Sequence, residues 1–161
     1  MGSMIAAAVV TVSDRSAAGV RDDTAGPVAV TALRDAGFTC DDARIVPDGA
    51  DAVEQALREL LGTGIRLIVT SGGTGISPRD QTPEGAARVI ERELPGIAEE
   101  LRRAGLAATP MSMLTRGLAG TVGDALIVNL PGSPKAVAEG MPIVLSVAGH
   151  VLGQLNGEDH R

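Results

Sequence analysis

The sequence predicts an α/β fold: a single domain with a mostly parallel sheet flanked by helices. Short apolar runs rich in β-branched residues alternate with longer segments of helical periodicity, as in successive βαβ units. The 161 residues suffice for one core and contain no internal repeat, long linker or low-complexity tract that would mark a second domain. Hydrophobic residues make up 44% of the chain with Phe38 as its one aromatic, so that core is aliphatic.

The first strand is expected over residues 5–12. Pro27 near the start and Gly37 past the end bracket a helix over about residues 26–36, since proline suits a first turn and glycine a C-terminal cap. A second strand falls near residues 43–46. Val53, Ala56, Leu57, Leu60 and Leu61 then recur at helical spacing, giving a helix that ends near Gly62. Leu67-Ile68-Val69 is short and wholly apolar, as suits a central strand covered on both faces. Thr82-Pro83-Glu84 has the order of N-cap, first-turn proline and acidic first turn, so a helix is expected there with Ala86, Val89, Ile90 and Leu94 on its apolar face. Runs at residues 114–118 and 125–128, divided by Gly120 and Gly123, predict a hairpin-like excursion into one strand. Ser133-Pro134 repeats the cap-then-proline start. Pro142 is expected to split the C-terminal helical region in two, because it has no N–H to donate.

Residues 1–3 have the pattern of an expression scar and residues 157–161 that of a tail, leaving 4–156 as the domain. No signal-peptide pattern follows the start, and no apolar run approaches the roughly 18–20 residues of a membrane span. The lone Cys40 can form neither an intrachain disulfide nor a multi-cysteine metal site. These features predict a soluble, cytoplasmic protein with no membrane partner. A formal charge of −6 argues against a broad nucleic-acid surface. It leaves a small anionic ligand open, because main-chain N–H groups, helix N-termini and a bound cation hold anions without entering the net charge.

Thr70-Ser71-Gly72-Gly73-Thr74-Gly75 follows the buried strand, where glycines let the backbone approach a ligand and turn its N–H groups inward as an anion cradle. The C-terminal ends of strands are where open α/β sheets bind ligands. The loop matches neither the Walker lysine pattern nor the dinucleotide fingerprint, and alone it would also serve as a plain turn. Beyond it, Asp80 suits either a cap or, beside a phosphate cradle, a magnesium anchor needing few protein ligands. Asp48 in Pro47-Asp48-Gly49 follows the second strand and reaches the same sheet edge, although the tripeptide alone suits a turn. Asn129-Leu130-Pro131-Gly132-Ser133-Pro134-Lys135 leaves another buried strand and opens a helix, a second cradle with room for a second anionic group. Ser13-Asp14-Arg15 with Asp22-Asp23-Thr24 suits a turn plus N-cap. His150, on a helix surface, and His160, in the tail, are too isolated for a metal cluster, and Cys40 suits packing.

In this order and spacing, residues 70–75, Arg79-Asp80-Gln81-Thr82-Pro83-Glu84 and residues 129–134, together with Ser13-Asp14, Pro47-Asp48 and Leu114-Thr115-Arg116, resemble the MogA/MoaB family over nearly the whole chain. The resemblance implies a three-layer α/β domain that forms homotrimers and binds molybdopterin and ATP. It further implies transfer of AMP to the pterin's terminal phosphate with Mg2+ and release of pyrophosphate, in molybdenum cofactor biosynthesis. It places catalysis and magnesium on Asp48 and Asp80 without deciding which ligates the metal. Substrate and nucleotide binding fall on Ser13, Asp14, Ser71, Gly72, Gly73, Thr74, Gly75, Thr115, Pro131, Gly132, Ser133 and Pro134. A downstream molybdenum-insertion protein is the further partner implied. Thr115 stands where relatives often have serine, keeping the hydroxyl and adding a methyl. The related competence-damage family usually has paired acids where this chain has Arg79-Asp80, which favours the cofactor branch. The alternatives are a non-catalytic pterin carrier of the same family and a general nucleotide-binding regulator; the two aspartates favour the enzyme.

Overall fold

The computed structural model describes residues 4–158, so the expected scar, His160 and the last three residues of the expected tail lie outside the described residues. In chain order the elements are β1 (Ala6–Val12), α1 (Asp14–Ala17), α2 (Ala25–Asp35), β2 (Thr39–Cys40), β3 (Arg44–Val46), α3 (Ala50–Gly62), β4 (Leu67–Ser71) and α4 (Thr82–Ala87). There follow β5 (Arg92–Glu93), α5 (Pro95–Gly105), a 3-10 turn (Pro110–Leu114), β6 (Ala119–Val122), β7 (Ala125–Leu130) and α6 (Pro134–Leu155). One sheet runs in the order β2-β1-β4-β7-β6-β5, with β3 alongside β1. The pairs among β1, β2, β3, β4 and β7 are parallel; β6 pairs antiparallel with β7 and with β5.

Alternation along the strands builds two cores. Val9, Leu67, Val69, Leu126, Val128 and Leu130 face α2 and α6, where Leu33, Met141, Val144 and Leu152 are buried. Val10, Ile68 and Ile127 face the opposite way, onto Val53, Ala56 and Leu57 of α3 and Ala86 of α4. The neighbouring residues Val9 and Val10, or Ile127 and Val128, thus serve opposite layers, which is why these strands are apolar without a break. Cys40 packs against the first core, as the sequence suggested.

Several boundaries differ from expectation, each for a local reason. The apolar positions from Ala86 to Leu94 are not one helix: Arg92 and Glu93 pair with Thr121 and Gly120, and Pro95 starts the separate helix α5. A proline disfavours helical backbone in the residue before it, and Leu94 is held at φ −116°, ψ 76°. Thr82 is the first residue of α4 rather than its cap; Gln81 precedes it and makes no side-chain cap bond. The run at residues 114–118 is not a strand, since the hairpin pairs β6 with β7. Pro142 does not divide the last helix, because Val137, Met141, Val144 and Ala148 bury one continuous stripe across it. By length and composition this helix could cross a membrane, which overturns the reading that no run is long enough; its apolar stripe is buried in the domain core.

The turn between α3 and β4 ties the end of the chain to its start. The Arg66 N–H donates to Ala6 O, and its guanidinium donates to Leu152 O and, at 3.2 Å, to Asn156 Oδ1. Beyond Asn156 the N–H groups of Gly157 and Glu158 bond back to Gln154 O and Gly153 O.

Candidate functional site

Because β1, β3, β4 and β7 are parallel and in register, all four deliver the chain to the same edge. Val12 pairs with Val46, Thr11 with Ser71, and Ser71 with Leu130. The next residues in each case are Ser13, Pro47-Asp48, Gly72-Gly73 and Pro131-Gly132. They surround a polar cleft of about 390 Å³ whose walls include Ser13, Asp48, Ser71, Gly72, Gly73, Asp80, Gly132 and Ser133.

The glycine loop is clamped from behind. Gly72 N–H donates to Leu130 O at 3.0 Å, and the Ser71 hydroxyl donates to Pro131 O at 3.0 Å, so the two loops are one unit. The carbonyls of the loop are taken in turn: Gly72 O by the Thr82 hydroxyl at 2.8 Å, Gly73 O by Thr82 N–H, Thr74 O by Arg116 N–H and Gly75 O by Arg116 Nε. With its acceptors committed to the protein, the loop offers its amide edge. Gly72 and Gly73 adopt φ +102° and +68°. A Cβ on Gly72 would strike Val12 O, and one on Gly73 would strike the Thr82 hydroxyl. The chain's own atoms therefore exclude a side chain at both glycines, whatever approaches the loop from the cleft. Gly73→Ala is expected to cost about 2 kcal/mol, from left-handed strain and the displaced Thr82, and to lower the unfolding midpoint by several degrees. An unchanged midpoint by calorimetry would show that Thr82 gives way freely.

Asp48 and Asp80 both line the cleft, half-buried. Asp48 Oδ2 accepts from Asp14 N–H at 3.0 Å, while Asp48 N–H donates to Asp14 Oδ1 at 3.0 Å, a reciprocal brace. Arg79 grips Asp14 with two nitrogens, at 2.8 and 2.9 Å, and donates also to Asp48 O at 3.0 Å. The Arg79 guanidinium holds the Asp14 carboxyl below its ordinary range. Burial pushes the Asp48 carboxyl up; the brace to Asp14 N–H opposes this, and the charges of Asp14 and Asp80 add to it. Asp80 is not a helix cap: its Oδ2 accepts from Ser77 N–H at 3.1 Å and closes its own turn. Arg116 holds that turn, donating to Asp80 O at 2.8 Å and pairing with Glu84 through both terminal nitrogens.

The other expected residues divide between lining the cleft and supporting it from behind. Ser13 does both, since its hydroxyl accepts from Ser16 N–H as the cap of α1, and Ser133 likewise caps α6 through Ala136 N–H. The Thr115 hydroxyl donates to that of Thr74 at 3.0 Å, behind the loop. Asp14, Thr74, Gly75 and Pro134 do not line the cleft, and Thr115 and Pro131 line a second, largely apolar cavity of about 210 Å³ between α5, the 3-10 turn and α6. Ser133 borders both cavities. Sequence reasoning missed that second cavity with α5, and it missed Thr11, whose hydroxyl donates to Asp23 at 2.7 Å in the cleft wall. Asp23 also accepts from Gly26 N–H, which makes the turn-plus-cap reading of Asp22-Asp23-Thr24 correct for that residue. Asp22-Asp23 was visible as a motif; nothing in the sequence marks Thr11, a buried strand residue.

Residues 8–150 match the family model described as a probable molybdopterin binding domain. A molybdopterin adenylyltransferase of Haemophilus influenzae is 37% identical over 156 residues, covering 94% of this chain and 79% of that protein. A molybdenum cofactor biosynthesis bifunctional protein of Synechococcus elongatus is 38% identical over 96% of this chain, and this chain spans only 48% of its length. The structure of the molybdopterin biosynthesis Mog protein from Mycobacterium ulcerans superposes with a TM-score of 0.91 at 40% identity, covering 98% of this chain and 100% of that one.

Proposed function

The chain belongs to the MogA/MoaB family of molybdopterin-binding domains, and from that membership and the cleft we propose that it is a molybdopterin adenylyltransferase of molybdenum cofactor biosynthesis. The observation that carries the reading is the placement of Asp48 and Asp80 in one polar cleft between two glycine-containing loops. This chain spans about half the length of the bifunctional relatives it matches, so the activity is proposed for this domain alone.

The reaction joins a terminal phosphate oxygen of molybdopterin to the α-phosphorus of ATP, breaks the α–β phosphoanhydride bond and releases pyrophosphate with the bonding electrons. The attacking phosphate is already an anion, so the protein need not deprotonate it; alignment and charge stabilisation are its task. The glycine loop at Gly73, whose amide is not among those bonded within the fold, and the start of α6 after Ser133 would hold phosphates, and the apolar cavity beside Ser133 offers room for a ring. No group of three or more His, Cys, Asp or Glu among the described residues is arranged as a metal cage. Asp48 and Asp80, among the aspartates that line the cleft, fit Mg2+, which is commonly held by one or two carboxylates together with substrate phosphates. When bound, Mg2+ would supply Lewis-acid stabilisation of the phosphate oxygens and a template for the leaving group.

Incubation of the purified protein with molybdopterin, ATP and Mg2+ is expected to give adenylylated pterin by mass spectrometry. Intact molybdopterin that binds without product would favour the carrier, and ATP binding indifferent to pterin would favour the regulator. A homotrimer acting in the cytoplasm, with a molybdenum-insertion protein downstream, completes the proposal. The exposed apolar side chains of Leu106, Met111, Met113 and Leu114, gathered on one short segment, support self-association. Light scattering is expected to give three times the chain mass, and the mass of one chain at micromolar concentration would refute it.

A further inference from the structure

Asp48 and Asp80 are held in the same unusual way. In each, a carboxylate oxygen accepts one main-chain N–H, from Asp14 or from Ser77. In each, an arginine donates to the aspartate's own carbonyl oxygen rather than to its carboxylate, Arg79 at 3.0 Å and Arg116 at 2.8 Å. In each, the arginine's charge is answered by a second acid outside the pair: Asp14 takes Arg79 in a two-point contact, and Glu84 takes Arg116. Two arginines therefore sit one side chain's reach from two cleft carboxylates and pair with neither.

Resting on the metal role proposed above, we propose that Asp14 and Glu84 are positioning residues that keep Arg79 and Arg116 off the carboxylates of Asp48 and Asp80, leaving both free for a divalent cation. A guanidinium is the strongest local competitor for a carboxylate, because its fork matches both oxygens. With the outer acid present, the fork is occupied and only a single N–H reaches the aspartate's main chain. This fixes the turn that carries the carboxylate and leaves the carboxylate its charge. Without the outer acid the same side chain can rotate its fork onto the cleft. Each guanidinium already touches the main chain of the aspartate it would seize, Arg116 at Asp80 O and Arg79 at Asp48 O. A role limited to holding the turns together makes a different prediction: loss of Asp14 or Glu84 would loosen the loops, and further loss of the arginine would loosen them more.

The test uses Mn2+ alone, titrated into the whole protein and followed by water-proton relaxation, without pterin or nucleotide. Glu84→Gln and Asp14→Asn are each expected to weaken Mn2+ binding by about tenfold, the effect of a cation newly seated on one carboxylate. Removing the competitor as well, in Glu84→Gln/Arg116→Gln and Asp14→Asn/Arg79→Gln, is expected to restore binding to near the parental value. Single variants that bind as the parent does, or double variants that bind worse than the singles, would overturn the proposal. If one double variant does not fold by circular dichroism, the other cycle decides; if neither folds, the single variants decide. A parent that binds no Mn2+ would overturn the metal role itself, whereas parental binding with unchanged variants would overturn this proposal alone.

Discussion

Asp80→Asn is expected to slow adenylyl transfer by about 10²–10³-fold while leaving pterin binding and the unfolding midpoint close to the parent's. The carboxamide keeps an oxygen to accept from Ser77 N–H, so the turn survives, and Asp80 fills no part of the core. What is lost is charge at the phosphates, since a neutral amide is a poor magnesium ligand. Asp48→Asn is expected to behave alike, because its amide oxygen can still meet Asp14 N–H. Asp48 adds a dependence on pH. Burial raises its carboxyl above the ordinary aspartate value, so the charged form is lost as pH falls through that raised value. The acid limb of the parental rate profile is therefore expected above the ordinary aspartate range of about 3.9. Single-turnover rates at saturating Mg2+ measure the first effect, and rates across pH at limiting Mg2+, where the metal does not hold the carboxylate in its charged form, measure the second. A variant that turns over at the parental rate would leave its aspartate with only a turn to close.

The second large effect is on stability. Asn129 is 3% exposed at the end of β7, where its amide nitrogen donates to the Thr70 hydroxyl at 2.9 Å and its Oδ1 accepts from Leu118 N–H at 3.0 Å. Asn129→Leu is near in size and leaves both partners without a bond beneath the two loops. The expected cost is about 2–6 kcal/mol, from the buried Thr70 hydroxyl and the half-buried Leu118 N–H each losing about 1–3 kcal/mol. In a domain of this size that lowers the midpoint by roughly 5–15 °C. Adding Thr70→Val removes one of the orphans, and denaturant unfolding is expected to recover part of the loss. A double variant no more stable than Asn129→Leu would assign the cost to packing.

What could be foreseen follows from how local each signal is. β4 and the cap at Ser133 announce themselves within a few residues, through an unbroken apolar run and a serine before a proline. The placement of Asp48 beside Asp80 was also foreseeable, because parallel strands end at one edge. Arg79 and Arg116 stand within the motifs, but nothing in the spacing of Arg79 from Asp14, or of Arg116 from Glu84, shows that they meet across the fold. α5 was lost because Ala86, Val89, Ile90 and Leu94 fit one helical period although a strand pair interrupts them. Pro142 misled in the opposite direction, since a missing bond on one exposed face weighs less than a stripe of buried side chains on the other.

The bonds that Arg66 makes to Ala6, Leu152 and Asn156 gather the start of β1 and the end of α6 at the edge of the sheet where the strands begin. The cleft lies at the edge where they finish. Chain entering β1 or leaving α6 thus does so at the rear of the domain, away from the mouth of the cleft, which stays open to small molecules.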